Sequence, residues 1–486
     1  MFARIGNLVG YLLIILGASE LLPALMASFF NEPNLILPFL ISGLATMFVG
    51  TALYFAFQDF NENASRHEII LFMFCAWTGL PLFAAIPFMT TGVLTKLSDS
   101  YFEAASALTT SGSTVLANID LVPRTIIFWR SLLQWEGGLL ILCIAVAILP
   151  LTRIGGIDLF RSALPHGEGV GLLARMRYAL IPLAKIYSFL TAFCMILLLL
   201  SGLGAFNSFN VAMATLSSGG FLPFETADKN LFSGMVELIL LPFMILAATN
   251  FTYHWAFFSG NNLKIYKTDS EVRGFFVILM TAIILFFIAL VLANSGFEAN
   301  ILRKFWISIF SVVSIITTTG FLPDQAADMP VSVVVIGSIL LFIGGTTGST
   351  AGGFKILRFK ILMRHADREI SRLAHPHSIV PLRINHLNVS STTLYAVWIL
   401  LFIFMSAAAF GAIFYGAMDL GLQTSLGLTI VNLFSAGGLT GLLAPDFVGY
   451  HSLPLAGKWL TSAIMIIGRL EVIAFLLCFM PSFWRN

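Results

Sequence analysis

The feature that most constrains this chain is a succession of apolar runs, each long enough to cross a bilayer, with hydroxyl- and glycine-rich clusters set between them. Crossing the hydrocarbon takes about 20 apolar residues. Runs of that order occupy residues 6–30, 35–57, 68–89, 125–150, 179–203, 234–258, 274–293, 331–362, 394–415 and 459–480. Only 10% of the 486 residues are charged and 58% are hydrophobic, whereas an average soluble domain carries roughly 25% charged residues. The fold class is therefore an all-α polytopic membrane protein. The first run follows Arg4 like a signal peptide, but no small-residue cleavage site closes it and a second run follows at once, so a retained span is expected. Cys75, Cys143, Cys194 and Cys478 all lie inside apolar runs and read as packing residues, without a disulfide framework or metal site.

Between some of the long runs lie amphiphilic stretches of about a dozen residues, too short to cross: 100–110, 206–216, 304–316 and 422–434. Each leads straight into a related motif. The four read LTTSGST, LSSGGFL, ITTTGFL and FSAGGLT, and matching them places Gly112, Gly220, Gly320 and Gly438 in register, one copy roughly every 110 residues. In the two double-glycine loops the second glycine is chosen by that match. An even number of crossings separates the copies, so the repeats are expected to be parallel, around an axis along the membrane normal. The expected architecture is two leading helices (1–66) and four helix–pore loop–helix units, 67–165, 166–270, 271–385 and 386–486, forming a pseudo-fourfold pore.

Non-helical backbone at membrane depth survives only where it lines water or is buried in protein. Carbonyl oxygens aimed at a shared axis can replace the hydration shell of a permeating cation, and glycine permits the left-handed turn that aims them. The expected ion filter is Thr110, Ser111 and Gly112; Ser218, Gly219 and Gly220; Thr318, Thr319 and Gly320; and Ala436, Gly437 and Gly438. One such cluster would be an ordinary interhelical packing motif; four in register are hard to explain that way.

Most of the cationic side chains fall on one face, including Arg153, Arg161, Lys264, Lys267, Arg273 and the run through 355–383. The positive-inside rule makes that face, and the N-terminus, cytoplasmic. The opposite face gathers Asp99, Glu103, Asp120, Glu225, Asp228, Glu298, Asp324, Asp328, Asp419 and Asp446, a distribution that would concentrate cations.

With these motifs the whole chain resembles the Trk/Ktr/HKT superfamily of potassium transporters, in particular its TrkH-type bacterial subunits. The resemblance rests on the four glycine loops, FWRSLLQWEGGLLILCIAVAILPL (128–151), GGTTGSTAGGFKILRFKIL (344–362) and GRLEVIAFLLCFMPSFW (468–484). It implies a channel-like potassium pore in each protomer, a homodimer, a cytosolic nucleotide-binding regulatory subunit and a bacterial inner-membrane location. Glycine at all four loop positions implies potassium preference. The expected function is potassium-selective uptake, with no enzymatic chemistry, no cofactor beyond K+ as the permeating ion and no nucleic-acid partner.

The run 331–362 is broken by GGTTGSTAGG, which cannot hold a regular helix through lipid. A phosphate-binding loop is excluded because the Gly-Lys-[Ser/Thr] ending is missing. The resemblance implies that Gly344, Gly345, Thr346, Thr347, Gly348, Ser349, Thr350, Ala351, Gly352 and Gly353 form an intramembrane gate with Arg469, which faces the cavity beneath the filter. Two apart on the last span, Arg469 and Glu471 point to different helix faces; pairing of Arg469 with Glu136 or another buried acid is the competing reading. Asn250 and His254, one turn apart, read as interhelical hydrogen-bonding groups. His365, His375 and His377 fall in the basic cytoplasmic run, either as a solvated loop or, by the resemblance, as part of the surface that docks the regulatory subunit. Glu136 stands where the family often has a small or apolar residue, and whether it tunes the pore or pairs internally stays open. The alternatives to simple permeation are coupling of K+ to H+ or Na+, for which Glu136 and Glu471 are the candidate carboxylates, and weakly selective K+/Na+ permeation.

Overall fold

The structure is a computed structural model that describes residues 2–57, 65–148, 172–224, 234–260, 264–293, 300–323, 329–375, 377, 380–384 and 387–470. Of the residues singled out above, Arg153, Arg161, Glu225, Asp228, Glu298, Asp324, Asp328, Glu471 and Cys478 lie outside the described residues.

The chain is mostly helical. Helices α1 (Phe2–Phe29) and α2 (Ile36–Ala56) pair closely because small residues meet at their contact. A Cβ added to Gly17 would sit 2.8 Å from the Gly43 carbonyl oxygen, and one on Gly10 2.7 Å from that of Gly50. Helix α3 (Arg66–Ala84) starts with a capping box, Ser65 and Glu68 each satisfying the other's backbone N–H, and runs into the short α4 (Ile86–Thr90). Then come α5 (Leu97–Leu108), α6 (Arg124–Cys143), α7 (Leu172–Leu200), α8 (Ala205–Leu216), α9 (Gly234–Ala247), α10 (Phe251–Gly260), α11 (Lys264–Thr268) and α12 (Ser270–Leu292). The remainder is α13 (Ile301–Ile316), α14 (Val331–Ile343), α15 (Ile356–Ala374), α16 (Ser391–Gly416), α17 (Leu422–Leu433), α18 (Thr440–Leu443) and α19 (Leu455–Arg469). A two-stranded antiparallel ribbon, Arg383–Ile384 against Leu387–Asn388, joins α15 to α16.

Among the described residues, seven helices are long and apolar enough to cross a membrane. Their outward faces stay apolar, as lipid requires: Phe48 on α2, Val277 on α12 and Phe402 on α16 are all exposed. The four short amphiphilic stretches form α5, α8, α13 and α17. These are the polar-bearing helices, and their Ser, Thr and Asn side chains are buried inside the protein.

One expected span is corrected and one expected break is found. Residues 234–258 do not form one straight helix: α9 and α10 meet at a bend of 97°. Residues 331–362 are interrupted at the glycine-rich stretch, as expected: α14 ends at Ile343 and the chain re-forms a helix only at Ile356, as the amphipathic α15 with Ile356, Leu357 and Ile361 buried and Arg364 exposed.

Buried ion pairs tie the short helices to their surroundings. Glu103 on α5 is fully buried and accepts the Arg130 Nε of α6 at 2.6 Å, together with the Val115 N–H at 3.0 Å and the Thr114 hydroxyl. Lys458 on α19 reaches Asp99 on α5 at 2.8 Å. Asp99 and Glu103 were expected to draw cations to the outer face. Both are instead spent on internal cations, since a carboxylate without water must be neutralised where it lies.

Removing one partner of a buried pair strands the other charge, at a cost of about 3–5 kcal/mol. Arg130→Met is therefore expected to lower the thermal unfolding midpoint of the detergent-purified protein far more than Lys458→Gln does. Equal, small shifts would show that Glu103 finds another partner.

Candidate functional site

Each of the four short helices ends in the same backbone device. Thr110, Ser218, Thr318 and Ser435 are left-handed, with φ of 51°, 54°, 54° and 54°. Their N–H groups turn back to Ala107, Thr215, Ile315 and Asn432, and the next N–H in each case reaches the carbonyl five residues earlier: Ser111 to Ser106, Gly219 to Ala214, Thr319 to Ser314, Ala436 to Val431. This is the Schellman termination, which ordinarily takes glycine at its left-handed position. Here that position carries Ser or Thr four times, at a conformational cost of about 1–3 kcal/mol each. Gly112, Gly220 and Gly320 follow two residues later, with φ of 80°, 74° and 80°.

The shared geometry corrects the fourth register. Helix α17 ends at Leu433 and its cap is Phe434, so Ser435, Ala436 and Gly437 occupy the positions of Thr110, Ser111 and Gly112. Counted from the helix end, Gly437 stands level with the other three glycines, although neither Gly437 nor Gly438 takes their positive φ. A double glycine offers two equal sequence matches, and only the end of the helix chooses between them. Sequence matching also missed Ser435 as the fourth left-handed residue.

The loops meet one another. A Cβ on Gly112 would strike the Gly219 carbonyl oxygen, one on Gly220 the Thr319 carbonyl oxygen, one on Gly438 the Gly320 carbonyl, and one on Gly437 the backbone at Ser113. The Gly437 N–H also donates to the Ser111 carbonyl. The four loops thus meet through Ser111, Gly112, Gly219, Gly220, Thr319, Gly320, Gly437 and Gly438, with no room for a side chain between the glycines and the facing backbone. The buried hydroxyl oxygens of Ser111 and Ser435 have no hydrogen-bond partner among the described residues, so the cluster carries polar groups that water or a cation can satisfy.

Residues 344–353 lie directly against three of the loops and are tied to the first through Arg469. The Thr350 and Ser218 hydroxyls are 2.9 Å apart, and Thr350 also donates to the Leu216 and Ala247 carbonyls. The Gly352 N–H donates to the Thr318 hydroxyl at 2.8 Å, and a Cβ on Gly352 would strike the Phe434 carbonyl. Arg469, the last residue of α19, completes the set. Its Nε donates to the Thr109 carbonyl at 2.7 Å, its Nη1 to the Thr350 carbonyl at 3.0 Å and its Nη2 to the Thr110 hydroxyl. All three acceptors are neutral, so pairing of Arg469 with Glu136 is not the arrangement found. Glu136 lines a cavity of about 190 Å³ with Tyr11, Ile15, Met176 and Leu108, the residue that ends α5.

The bend between α9 and α10 belongs to the same construction. Thr346 and Thr350 donate their N–H groups to the Ala248 and Ala247 carbonyls, and the Phe251 N–H donates to the Gly348 carbonyl. Two broken backbones therefore satisfy each other. Asn250 caps α10 through the Thr252 N–H and hydroxyl, and His254 bonds the Tyr266 hydroxyl at 2.6 Å and the Leu246 carbonyl at 3.0 Å. His254 is an interhelical hydrogen-bonding group, as expected, whereas these Asn250 bonds stay within the start of its own helix. Glu271 escaped the sequence reading: its carboxylate accepts the Thr347 N–H at 2.6 Å and hydroxyl at 3.0 Å. A glutamate two residues past an Asp helix cap looks like first-turn capping, and nothing local points to a loop 76 residues away.

Three comparisons with known proteins bear on this site. The family model described as TrkH, a cation transport protein, matches residues 37–486. The Trk system potassium uptake protein TrkH of Escherichia coli is 31% identical over the full length of both chains, and the Trk system potassium uptake protein TrkG of the same organism is 28% identical over 99% of this chain and 98% of that one. The crystal structure of the potassium transporter TrkH from Vibrio parahaemolyticus superposes with a TM-score of 0.90, at 29% identity and complete coverage of both chains.

Hydrogen bonds to a charged group contribute about 1.5–3 kcal/mol each. Glu271→Ala is expected to raise amide hydrogen exchange across residues 344–353 by on the order of tenfold, read by mass spectrometry. Unchanged exchange would mean that the contacts to the loops and to Arg469 hold this segment without the carboxylate.

Proposed function

Because the chain belongs to the TrkH family of cation transport proteins, we propose that it takes up potassium through a pore built from four parallel units around the glycine loops. The observation that carries this reading is the fourfold recurrence of one loop geometry at one meeting point. Each short helix aims its C-terminal end at the loops, and a helix C-terminus carries roughly half a negative charge. Four such ends favour a cation at their junction, where Gly112, Gly220, Gly320 and Gly437 leave the backbone carbonyls unshielded. Ser111, Gly219, Thr319 and Ala436 supply the adjacent carbonyl layer. Potassium sheds water into these oxygens, which replace its hydration shell.

Residues 344–353 with Arg469 act as the gate in this reading. The segment touches the second, third and fourth loops, and the guanidinium places a fixed positive charge beside the end of α5, where it repels a descending ion until the segment moves. Inward movement follows the membrane potential, at about 2.3 kcal/mol per charge per 100 mV. The N-terminus and the basic segment through α15 lie on the cytoplasmic side of the inner membrane. Two copies assemble, and a cytosolic nucleotide-binding subunit of the Trk type engages the basic face and sets the gate.

Reconstituted into liposomes with an inside-negative potential, the protein is expected to pass K+ in preference to Na+, and Gly320→Ser is expected to erode that preference. Flux that instead requires a proton or sodium gradient, with Gly320→Ser unchanged, would assign the work to a coupled carrier. Arg469→Gln, which keeps hydrogen-bonding capacity but removes the charge, is expected to raise the potential-driven flux; an unchanged rate would remove Arg469 from the gate.

A further inference from the structure

A cavity of about 890 Å³ opens at the polar end of α12, between that helix, α15 and the ribbon that follows it. Its chemistry is divided. Its lining carries the cations Arg273, Lys360, Arg364 and Arg383 together with the apolar Val277 and Met363. Val277 is 65% exposed and Met363 49% exposed. Val277 opens a strip of exposed apolar residues, Met280, Ile284 and Ile288, that continues down α12. On a 23-residue helix of this hydropathy such a strip faces lipid tails.

The cations are only partly occupied from within the chain. Lys360 donates to the Ser270 carbonyl at 2.7 Å and Arg383 to the Asn388 side chain at 3.0 Å, both neutral acceptors. Arg273 reaches only the Thr268 and Asp269 carbonyls, at 3.5 Å. Arg364 has no hydrogen bond or ion pair to the described residues, yet it and Arg273 both stand close enough to Lys360 to repel it. Asp269, which lines the cavity, and Glu271 draw on Lys360 in the opposite sense, but the Asp269 oxygens are taken up by hydrogen bonds: its Oδ1 caps α12 through the Glu271 and Val272 N–H groups, and its Oδ2 accepts the Tyr253 hydroxyl at 3.1 Å. Mutually repelling cations around a cavity at the membrane boundary call for an anion.

We propose that this cavity binds the phosphate headgroup of an anionic phospholipid, with an acyl chain lying along the exposed strip of α12. Basic pockets between helices at the cytoplasmic boundary are where such headgroups settle, and the joined apolar strip favours a lipid over a soluble phosphate. The occupant would bridge α12 to α15. Helix α12 holds residues 344–353 through Glu271, and α15 begins three residues after that segment ends. A bound headgroup therefore braces the segment from both sides.

The test is native mass spectrometry of the full chain in detergent, titrated separately with phosphatidylglycerol, phosphatidylcholine and inorganic phosphate. It reads binding alone, so its result is independent of the transport reading. Phosphatidylglycerol is expected to remain bound where phosphatidylcholine does not. Arg364→Gln, at an exposed side chain without an internal partner, is expected to weaken that retention by on the order of tenfold, and Lys360→Gln with Arg364→Gln to abolish it. Arg372→Gln, on the same helix but outside the cavity, should leave it unchanged. Three results would overturn the proposal: equal retention of the two lipids, retention insensitive to Arg364→Gln, or inorganic phosphate competing as well as the lipid binds. Loss of a dimer in Arg364→Gln with no change in lipid retention would likewise overturn it, and would mean that a second copy covers this face.

Discussion

Backbone amides and carbonyls in a bilayer have no water to fall back on, and every departure from helix in this protein is arranged around that fact. The structure does not avoid broken backbone; it brings the breaks together so that they complete one another. The bend after Ala247 and the segment at 344–353 exchange three backbone hydrogen bonds. That segment in turn meets Ser218, Thr318 and the Phe434 carbonyl. Each element would be intolerable alone in lipid, which makes the assembly cooperative.

Electrostatics follows the same logic. Three inward carboxylates hold specific partners: Glu103 holds Arg130 and the chain at Thr114–Val115, Glu271 holds Thr347, Asp99 holds Lys458. Glu103 touches the first loop only at its last residue and is neutralised by Arg130, so the negative potential at the glycines comes from helix ends and carbonyl dipoles. Arg469 is the exception in sign, a cation hydrogen-bonded to the end of α5 and to Thr350 at once. A single side chain thus couples the loop cluster to the segment that lies against it.

Much of this was legible in the sequence because it depends on composition and period. The long apolar runs, the four short helices and the recurring Ser/Thr–Gly motif are local patterns, and they appear as helices and loops close to their expected bounds. What was not legible depends on contacts between distant residues. Whether 234–258 stays straight depends on a partner loop some hundred residues on. Whether Gly437 or Gly438 counts as the fourth glycine depends on where α17 stops. Glu103 looked like a vestibule acid because its partner Arg130 lies one loop and one helix away, and Glu271 looked like an ordinary first-turn residue for the same reason.

The central claim is that the four loops make one cation site. Crystals grown in rubidium or thallium salts, measured for anomalous scattering, test it most directly. The account predicts anomalous peaks on the axis between Gly112, Gly220, Gly320 and Gly437, within carbonyl coordination distance of all four loops. Peaks confined to another cavity, such as the one lined by Glu136, would contradict it and reduce the glycine loops to packing.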